Sequence, residues 1–437
     1  MKKEYICDVI NQVEKEVTLY GWVHNIRDHK KIIFVDLRDK TGIIQLVGNI
    51  SFKKLSPEDV ICVKGIVKKR PENTINKKIK TGGIEIIVSN FDIISQSSPL
   101  PIDLSKEDLN VSLPTLIENR SLVLRHPKIS AIFKVQETII DEFRNILKNL
   151  DFTEFQTPII VPAQAEGGAA VFSVNYFKYK TYLTQSPQLY KQIMLSVFEK
   201  VFTVTHVFRA EPSVTTRHLT EYTSLDVEMA FIDSWTDLMD TAEIVIKKII
   251  EVAFKKCKEE LDLYNIKMPL IPQKIPRIRL QEALKIINKR TKKDVLNEPD
   301  LSPSDEEEIC KWAREEKKSD FIFITHYPTE KRPFYTYPDP DNPDLTLSFD
   351  MLGFGLELIT GGRRINDYKK LVENIKKWGN KPSDFDIYLQ AFKYGMPPEG
   401  GFALGAERIT MKLLNLQNIR EASLFPRDME RVDINLK

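Results

Sequence analysis

Residues 208–228, FRAEPSVTTRHLTEYTSLDVE, are the stretch from which the fold and the site of this chain are best inferred. They contain two arginines, Arg209 and Arg217, and end on two carboxylates, Asp226 and Glu228. The alternating apolar runs VFTVTHVF before them and LDVEMAFI after them predict two antiparallel strands around a long polar loop. Guanidinium groups at strand ends suit a polyphosphate, because their planar fork pairs with phosphate oxygens. The alternative is a surface hairpin with a few ion pairs, and the rest of the chain decides between the two.

The length of 437 residues predicts two or three domains. A hydrophobic fraction of 42% with 29% charged residues is typical of a globular protein with a substantial core. The net charge of +2 neither indicates nor excludes a nucleic-acid partner, since a local basic patch can exist on a nearly neutral chain.

The four cysteines lie far apart, without a CxxC pair or a Cys/His cluster, so the sequence predicts neither a zinc site nor a disulfide framework. No apolar run approaches the length of a membrane span, and the N-terminus has no signal-peptide pattern. We therefore expect a cytoplasmic protein that does not associate with membranes.

Residues 16–95 predict five short strands, EVTLYGWV, KIIFVDLRD, GIIQLV, VICVKGIVKK and GIEIIVSNF, separated by polar turns. Five such strands indicate a small closed all-β barrel, of which the OB-fold is the commonest. Its exposed face would carry Arg27, Phe34, Gln45 and Glu85, a mixture of an aromatic ring and hydrogen-bonding groups that suits unpaired bases. The alternative is that Phe34 belongs to the barrel core.

The chain divides, on composition, into a barrel domain (1–97), a hinge rich in proline and small polar residues (98–127) and a third segment (128–437). Helical periodicity predicts amphipathic helices over 130–150 and 236–262. The runs FIFITHYP, LSFDML and GFGLELITGGRR predict further strands, which indicates an α+β domain on an antiparallel sheet. No GxGxxG or Walker loop is present, which argues against Rossmann and P-loop enzymes.

Three separated stretches resemble the three signature motifs of class II aminoacyl-tRNA synthetases. The first is the helix before FTEFQTPIIVP, with Pro158; the second is FRAEPSVTTRHLTEYTSLDVEMAFI; the third is GGFALGAERITM, followed by NIREASLFPRD. The OB-like barrel places the chain in the subgroup that charges aspartate, asparagine or lysine. The resemblance covers essentially the whole chain and implies a class II catalytic domain that forms a homodimer through the first motif.

Within this subgroup, QSPQLYKQ and LFPRD resemble the aspartyl enzymes of the compact archaeal and eukaryotic type. A physical argument agrees, because the ammonium of Lys191 can pair with the substrate's side-chain carboxylate and would be left unpaired by the neutral amide of asparagine. The alternatives are an asparaginyl-tRNA synthetase, against which Lys191 and Arg427-Asp428 argue, and a paralogue that binds RNA without charging it.

The resemblance implies activation of L-aspartate with ATP to aspartyl-adenylate, followed by transfer to the 3′ end of tRNA(Asp). Arg209, Glu211 and Arg408 are the expected catalytic residues: Arg209 at the α-phosphate, Glu211 at the adenine amino group, and Arg408 at the γ-phosphate or adenine. The residues expected at ATP are Arg209, Ala210, Glu211, Arg217, His218, Leu219, Glu357, Gly405, Ala406, Glu407 and Arg408.

For the amino acid, the resemblance implies that Arg364 lies beside Lys191 on the side-chain carboxylate of aspartate. Glu166 and Asp226 are expected to hold the α-ammonium or to orient these cations. The residues expected at aspartate are Glu166, Gln188, Leu189, Tyr190, Lys191, Arg209, Asp226, Thr360 and Arg364. Two departures from the family pattern are Arg363, where relatives usually carry Gln, and Ala403, where a Gly is common.

Mg²⁺ is the expected cofactor, held by Asp350 and Glu357 with Thr360 nearby. Mg²⁺ prefers one or two carboxylates together with phosphate oxygens, which a carboxylate pair at the rim of a phosphate site provides. The alternative for Asp350 is an ordinary acidic turn residue.

The barrel is expected to bind the anticodon through His24, Arg27, Phe34, Gln45 and Glu85. The anticodons GUC and GUU of the aspartate and asparagine tRNAs differ only at the third base, where C offers an N4 donor and U an O4 acceptor. His24 and the pair Pro71-Glu72 resemble relaxed members of the family, which also aspartylate tRNA(Asn). The alternative is a strict enzyme in which His24 is only a residue of the barrel surface.

Overall fold

The computed structural model describes residues 4–30, 32–162, 171–212 and 214–433. The chain divides into two compact units: Met1–Ser112 with Ser121–His126, here called the barrel unit, and Leu113–Arg120 with Pro127–Lys437, called the sheet unit. The hinge predicted over 98–127 is shared between them, and the predicted domain boundaries stay a prediction. No helix in the described ranges is both long and apolar enough to cross a membrane.

The barrel unit is built on five strands that close on themselves in the order β1-β2-β3-β5-β4, so the predicted OB-type barrel is confirmed. The strands are β1 (Glu16–His29), β2 (Ile32–Asp39), β3 (Gly42–Gly48), β4 (Val60–Lys69) and β5 (Ile84–Ser95). All neighbours are antiparallel except β3 and β5. Alternation along β2 buries Ile33, Val35 and Leu37 and turns Phe34 and Asp36 outward, because successive side chains of a strand point to opposite faces.

The sheet unit is built on an eight-stranded sheet in the order β12-β13-β14-β15-β16-β11-β10-β6. Its strands are β6 (Thr153–Glu154), β10 (Lys200–Phe208), β11 (Glu221–Ala230), β12 (Arg277–Arg279), β13 (Phe321–Thr325), β14 (Ser348–Gly353), β15 (Leu356–Arg363) and β16 (Glu399–Gly405). Neighbours are antiparallel, as the sequence predicts, except at the two ends of the sheet, where β6–β10 and β12–β13 are parallel. A small second sheet joins β7 (Ile160–Val161), β9 (Tyr179–Leu183) and β8 (Ser173–Tyr176).

Helices cover one face of the large sheet. The described helices are α1 (Leu113–Glu118), α2 (Arg120–Val123), α3 (Pro127–Asn149), α4 (Gln188–Phe198), α5 (Thr236–Lys256), α6 (Lys258–Asp262), α7 (Leu280–Thr291), α8 (Pro303–Lys317), α9 (Tyr368–Lys377), α10 (Asp386–Lys393) and α11 (Ala406–Leu413). The helices α3 and α5, which correspond to the two predicted amphipathic helices, bury their apolar faces with α11 in one core against the sheet. On the opposite face, α4 packs against β10 and β11, and α7 and α8 pack against β13; the site lies on this face.

Strand β11 explains why the two faces differ. Its sequence SLDVE alternates, so that Leu225 and Val227 enter the helical core, whereas Ser224, Asp226 and Glu228 point to the other face. All five side chains are buried. The sheet therefore presents these buried carboxylates on the face opposite the core of α3, α5 and α11.

Candidate functional site

A cavity of about 330 Å³ lies on that face of the sheet unit. Its wall includes both ends of residues 208–228, the first turn of α4, and strands β15 and β16. One end of the cavity is lined by buried groups of both charges, and the other by arginines that are partly exposed. The two ends are described in turn.

The first end is a buried charge cluster around Lys191. Its Nζ lies 2.9 Å from Asp226 Oδ1 and 3.1 Å from Glu228 Oε2, and all three side chains are at most 1% exposed. Burial alone would lower the pKa of Lys191, but the two carboxylates outweigh it and raise the pKa above its ordinary value. Lys191 is therefore a charged ammonium in a dry environment.

Arg364 supplies the second cation of the cluster. Its Nε donates to Glu228 Oε1 at 2.8 Å, and its Nη2 donates to Gln188 Oε1 at 3.3 Å and to the carbonyl of Gly401 at 3.2 Å. The amide of Gln188 donates to Glu228 Oε1 at 3.1 Å. Burial opposes ionisation of Glu228, but Arg364 and Lys191 together hold its pKa below the ordinary value. The cluster thus contains two cations and two carboxylates.

The close packing of this cluster requires a glycine on β16. A Cβ at Gly401 would overlap the backbone carbonyl of Val227 and the carboxylate of Glu228, which lie against it across the β11–β16 pair. Any side chain at position 401 would displace Glu228 from Arg364. Close packing against Glu228 therefore explains why a glycine is needed at position 401.

The second end of the cavity carries arginines. The guanidinium of Arg209 lies over the ring of Tyr222, with 5.8 Å from Cζ to the ring centroid. Arg217 forms an ion pair with Glu306 on α8, and Arg408 on α11 donates to the carboxylate and carbonyl of Glu357, at 3.2 and 3.0 Å. The structure thus brings together the three arginines that the sequence selects, although they are 199 positions apart at most (408 minus 209).

Most of the other residues predicted at ATP also line the cavity. They are Glu211, His218, Leu219, Glu357, Gly405 and Glu407. The carboxylate of Glu407 accepts two bonds from the backbone N–H of Thr223, both at 3.1 Å, and burial raises its pKa to about 7. Ala406 is fully buried in the helical core, so its side chain is not part of the wall, and Ala210 lies outside the set of lining residues.

The three residues predicted to hold a metal lie on adjacent strands. Asp350 on β14 and Thr360 on β15 are cross-strand partners, and Arg332 bridges them, with 2.7 Å to Asp350 Oδ2 and 3.0 Å to Thr360 Oγ1. Asp350 Oδ1 is buried and has no hydrogen-bond partner among the described residues. Burial and the nearby Asp350 raise the pKa of Glu357. A cation would supply the missing partner for this buried oxygen.

Three predicted aspartate-site residues are not brought to this cavity by the described structure. Leu189 and Tyr190 follow Gln188 on α4 but line a different cavity, of about 650 Å³, on the far side of the helix. Successive helical side chains point about 100° apart, so neighbours of Lys191 in sequence cannot all share its direction. Glu166 lies outside the described residues. The remaining predicted residues, Gln188, Lys191, Arg209, Asp226, Thr360 and Arg364, line the cavity.

Sequence reasoning missed several residues that complete the site. Glu228 was noticed as a strand-end carboxylate but was not assigned to the amino-acid end, although period-two alternation with Asp226 places it there. Arg332 and Glu306 come from segments without a family motif, and only the folded chain brings them to Asp350 and Arg217.

The predicted anticodon residues lie on one face of the barrel unit, and four of them are close together. Arg27 forms a bidentate pair with Asp36, at 2.6 and 2.9 Å, and donates to Gln45 at 3.0 Å, while Gln45 donates to Glu85 at 2.7 Å. Phe34 is the cross-strand partner of Arg27 and is half-buried, outside the barrel core. This face combines a ring with a hydrogen-bonded network.

Gln45 and His24 are less exposed than the sequence predicts. Gln45 is buried beneath its partners. His24 lies at the β1 irregularity and contacts a second network, in which Arg38 Nη1 is 3.1 Å from His24 Nδ1 and pairs with Glu58. Burial and Arg38 lower the pKa of His24, so it is neutral at physiological pH.

Comparisons with known proteins agree with this geometry. The family model "tRNA synthetases class II (D, K and N)" matches residues 112–429, and the model "OB-fold nucleic acid binding domain" matches residues 17–94. The aspartate–tRNA(Asp/Asn) ligase of Thermus thermophilus is 43% identical over 98% of this chain and 99% of its own length. The aspartate–tRNA(Asp) ligase of Pyrococcus furiosus is 38% identical over 99% of each. The crystal structure of asparaginyl-tRNA synthetase from Pyrococcus horikoshii with asparaginyl-adenylate has a TM-score of 0.89 at 34% identity, and covers 99% of each chain.

Replacing Lys191 with Met tests the charge cluster. The substitution leaves Asp226 and Glu228 buried without their ammonium partner, and we expect the sheet unit to lose about 3–5 kcal/mol of unfolding free energy. Urea unfolding followed by fluorescence measures the loss. The control is Lys178→Met, which changes an exposed lysine and should leave the midpoint unchanged. Equal midpoints for the two variants would contradict a buried ion cluster.

Proposed function

The chain belongs to the class II tRNA synthetases for aspartate, lysine and asparagine, and from this premise we propose that it is an aspartate–tRNA ligase. It activates L-aspartate with ATP to aspartyl-adenylate and transfers the aspartyl group to the 3′ end of tRNA(Asp). The observation that carries the choice of amino acid is the pair of buried cations, Lys191 and Arg364, at one end of the cavity. The curated relatives of nearly the same length support the same assignment.

The reaction consists of two displacements. The α-carboxylate of aspartate attacks the α-phosphate of ATP, and a ribose hydroxyl of the terminal adenosine then attacks the carbonyl of the adenylate. Both steps develop negative charge on oxygen atoms, so placed cations and hydrogen-bond donors supply most of the catalysis. Arg209, which lines the cavity, is suited to the α-phosphate and the attacking carboxylate. No covalent enzyme intermediate is required.

The remaining contacts to ATP follow from the second end of the cavity. We assign Arg217 and His218 to the outer phosphates, Arg408 to the γ-phosphate or the adenine, and Glu211 to the adenine amino group; that all four line the cavity supports this assignment. We propose that Mg²⁺ is held by Asp350 and Glu357, with Thr360 nearby. The partnerless buried oxygen of Asp350 fits this role, and the bound ion would neutralise phosphate charge.

Charge separates this proposal from asparaginyl-tRNA synthetase, the nearest alternative. Aspartate brings a side-chain carboxylate, which the ammonium of Lys191 and the guanidinium of Arg364 can pair with. The neutral amide of asparagine would form no ion pair with these cations, whose charged partners would then be only Asp226 and Glu228. The structural likeness to an asparaginyl enzyme follows from the shared fold and does not bear on this choice.

The barrel unit is proposed to bind the anticodon. Phe34 offers a half-buried ring for a base, and the network of Arg27, Gln45 and Glu85 offers donors and acceptors for base edges. His24 and Pro71-Glu72 support an enzyme that also aspartylates tRNA(Asn), the dual specificity that the name of the Thermus relative states for that protein.

We further propose that the enzyme is a cytoplasmic homodimer that assembles through the first motif. The chain segment after Pro158 presents a group of exposed apolar side chains, namely Ile159, Ile160, Phe172 and Tyr179. A group of this kind on the small sheet supports contact with a second copy, because clustered exposed apolar surface marks interaction sites.

Aspartate-dependent ATP–pyrophosphate exchange tests the proposed function. We expect exchange with aspartate and a rate lower by about a hundredfold or more with asparagine, since a site built for a charged group rejects its neutral isostere. Exchange with asparagine alone would support the asparaginyl alternative. Absence of exchange with either amino acid would support an RNA-binding paralogue.

Replacing Phe34 with Ala tests the barrel face. Loss of one base stack should weaken tRNA binding by about 1–3 kcal/mol and leave aspartate-dependent exchange unchanged. Filter binding and exchange measure the two effects. Phe52→Ala serves as the comparison, because Phe52 is in the barrel core and its loss should destabilise the barrel. Unchanged tRNA binding in Phe34→Ala would remove this ring from the interface.

Aspartylation of GUC and GUU transcripts tests dual specificity. We expect both tRNAs to be charged with kcat/KM values within about tenfold of each other, because His24 and Pro71-Glu72 resemble relaxed members of the family. A preference of about a hundredfold for GUC would identify a strict enzyme, since one good contact to a base edge is worth about 1–3 kcal/mol.

A further inference from the structure

Glu399, the first residue of β16, is a buried carboxyl group next to the amino-acid end of the cavity but outside its wall. Its side chain is 0% exposed. Its backbone carbonyl accepts a hydrogen bond from the N–H of Arg364 at 3.0 Å, which fixes it beside the charge cluster. Nothing in the roles proposed above uses this carboxyl.

The contacts of Glu399 compensate a buried carboxylate poorly. Oε1 accepts a bond from the amide of Gln192 at 2.7 Å, and Oε2 has no hydrogen-bond partner among the described residues. Tyr388 donates its hydroxyl hydrogen to Oε1 of Gln192 at 3.1 Å, so the amide must present its NH₂ to Glu399. One neutral donor is poor compensation for a carboxylate at zero exposure, and the uncharged form costs far less free energy there.

The charged groups around Glu399, taken together with its burial, also favour the protonated form. Lys191 on α4 and Arg364 after β15 favour the carboxylate, whereas Glu228 on β11 opposes it. Burial is the largest influence, followed by Glu228, and together they raise the pKa of Glu399 to about 8. Tyr388 on α10, the remaining titratable neighbour, has a pKa well above its ordinary value because it is buried. Within this group, Glu399 alone changes charge near neutral pH.

The proton on Glu399 determines the net charge of the cluster. Lys191 and Arg364 are balanced by Asp226 and Glu228, so the cluster is electrically neutral while Glu399 keeps its proton. Ionised Glu399 would make the cluster negative by one charge. The side-chain carboxylate of aspartate would then be repelled, whereas the uncharged amide of asparagine would be affected much less.

We propose that Glu399 is a specificity-determining residue: as the neutral acid it keeps the pocket able to accept aspartate, and as the carboxylate it shifts the pocket away from aspartate and toward uncharged amino acids. This inference rests on the proposed aspartate activation. Under this inference, Glu399, Gln192 and Tyr388 do not touch the substrate, and they influence binding through the residues that do. Glu399 is a positioning residue here, because it acts through the cations and not by contact.

The first experiment uses the unmodified protein. ATP–pyrophosphate exchange is measured between pH 7 and pH 9, and the KM values for aspartate and for ATP are determined separately. With a pKa of about 8, Glu399 is mostly protonated at the lower limit and mostly ionised at the upper, so the KM for aspartate should rise about tenfold across this range. The KM for ATP should change much less. A KM for aspartate that stays constant would overturn the inference.

The variant Glu399→Gln separates this proton from other titrating groups, including the α-ammonium of free aspartate. Glutamine is the neutral isostere, so at pH 7 the KM for aspartate should stay within about twofold of the unmodified value, and its rise toward pH 9 should be largely lost. Any pH dependence that inhibition by asparagine retains in this variant should be that of the α-ammonium of asparagine itself. A large loss of aspartate binding at pH 7 in folded Glu399→Gln would show that the carboxylate is the working form, and would overturn the inference.

Glu306→Gln is the matched control. Glu306 is a partly buried acid, whose pKa burial raises to about 7, but it pairs with Arg217 at the phosphate end. This variant should alter the KM for ATP and keep the alkaline rise in the KM for aspartate. If Glu306→Gln abolished that rise, the titrating group would lie at the phosphate end and Glu399 would be excluded.

The two proposals fail in different ways. Absence of aspartate-dependent exchange at every pH would remove the proposed function itself. Normal exchange with the same pH profile in the unmodified protein and in Glu399→Gln would leave the function intact and remove only the role of Glu399.

Discussion

The need to neutralise buried charge around Lys191 governs the sheet unit. An ammonium at 1% exposure is tolerated only with charged partners in good geometry, and Asp226 and Glu228 supply them. Glu228 also holds Arg364, so among the described residues removing Lys191 leaves Asp226 without an ion-pair partner, and removing Glu228 leaves Arg364 without one. The cluster is a poor source of net stability, because desolvation offsets most of the attraction. Its use lies in a fixed arrangement of charge that a substrate carboxylate can enter.

That arrangement depends on the two-faced character of the central strands. In β11 the same five residues supply core side chains to the helices and carboxylates to the cavity, so a shift of register by one residue would exchange the two sets. Pairing of β11 with β10 and β16 prevents such a shift, and Gly401 leaves the space that Glu228 needs. Fold and site are therefore specified together on this strand.

Local patterns predicted the barrel strands and the long helices, whereas the residues assigned to ATP and aspartate came from the family resemblance. Alternation in residues 16–48 predicted β1 to β3, and helical periodicity predicted α3 to within three residues at its start (130 against 127). Contacts between distant segments could not be predicted in this way. Gln192 and Glu399 are separated by 207 positions, and only the order of strands brings them together. Leu189 and Tyr190, whose assignment to aspartate stays a prediction, line a different cavity because residues adjacent in a helix face different directions.

The cations at the two ends of the cavity differ in exposure and in ion pairing. This difference suits the binding of ATP at one end and of the amino acid at the other. At the phosphate end, Arg217 and Arg408 are 22% and 23% exposed, and each is paired with one carboxylate. Partly solvated pairs of this kind are weak, so ATP phosphates can compete for the guanidinium groups at low cost. At the amino-acid end, Lys191 and Arg364 are 1% and 8% exposed and share carboxylates that water does not reach. Exchanging partners there would expose a buried charge, so these cations keep their positions when the amino acid binds. Discrimination between a carboxylate and an amide needs such a fixed field, whereas a flexible polyphosphate is better served by arginines that can move to meet it.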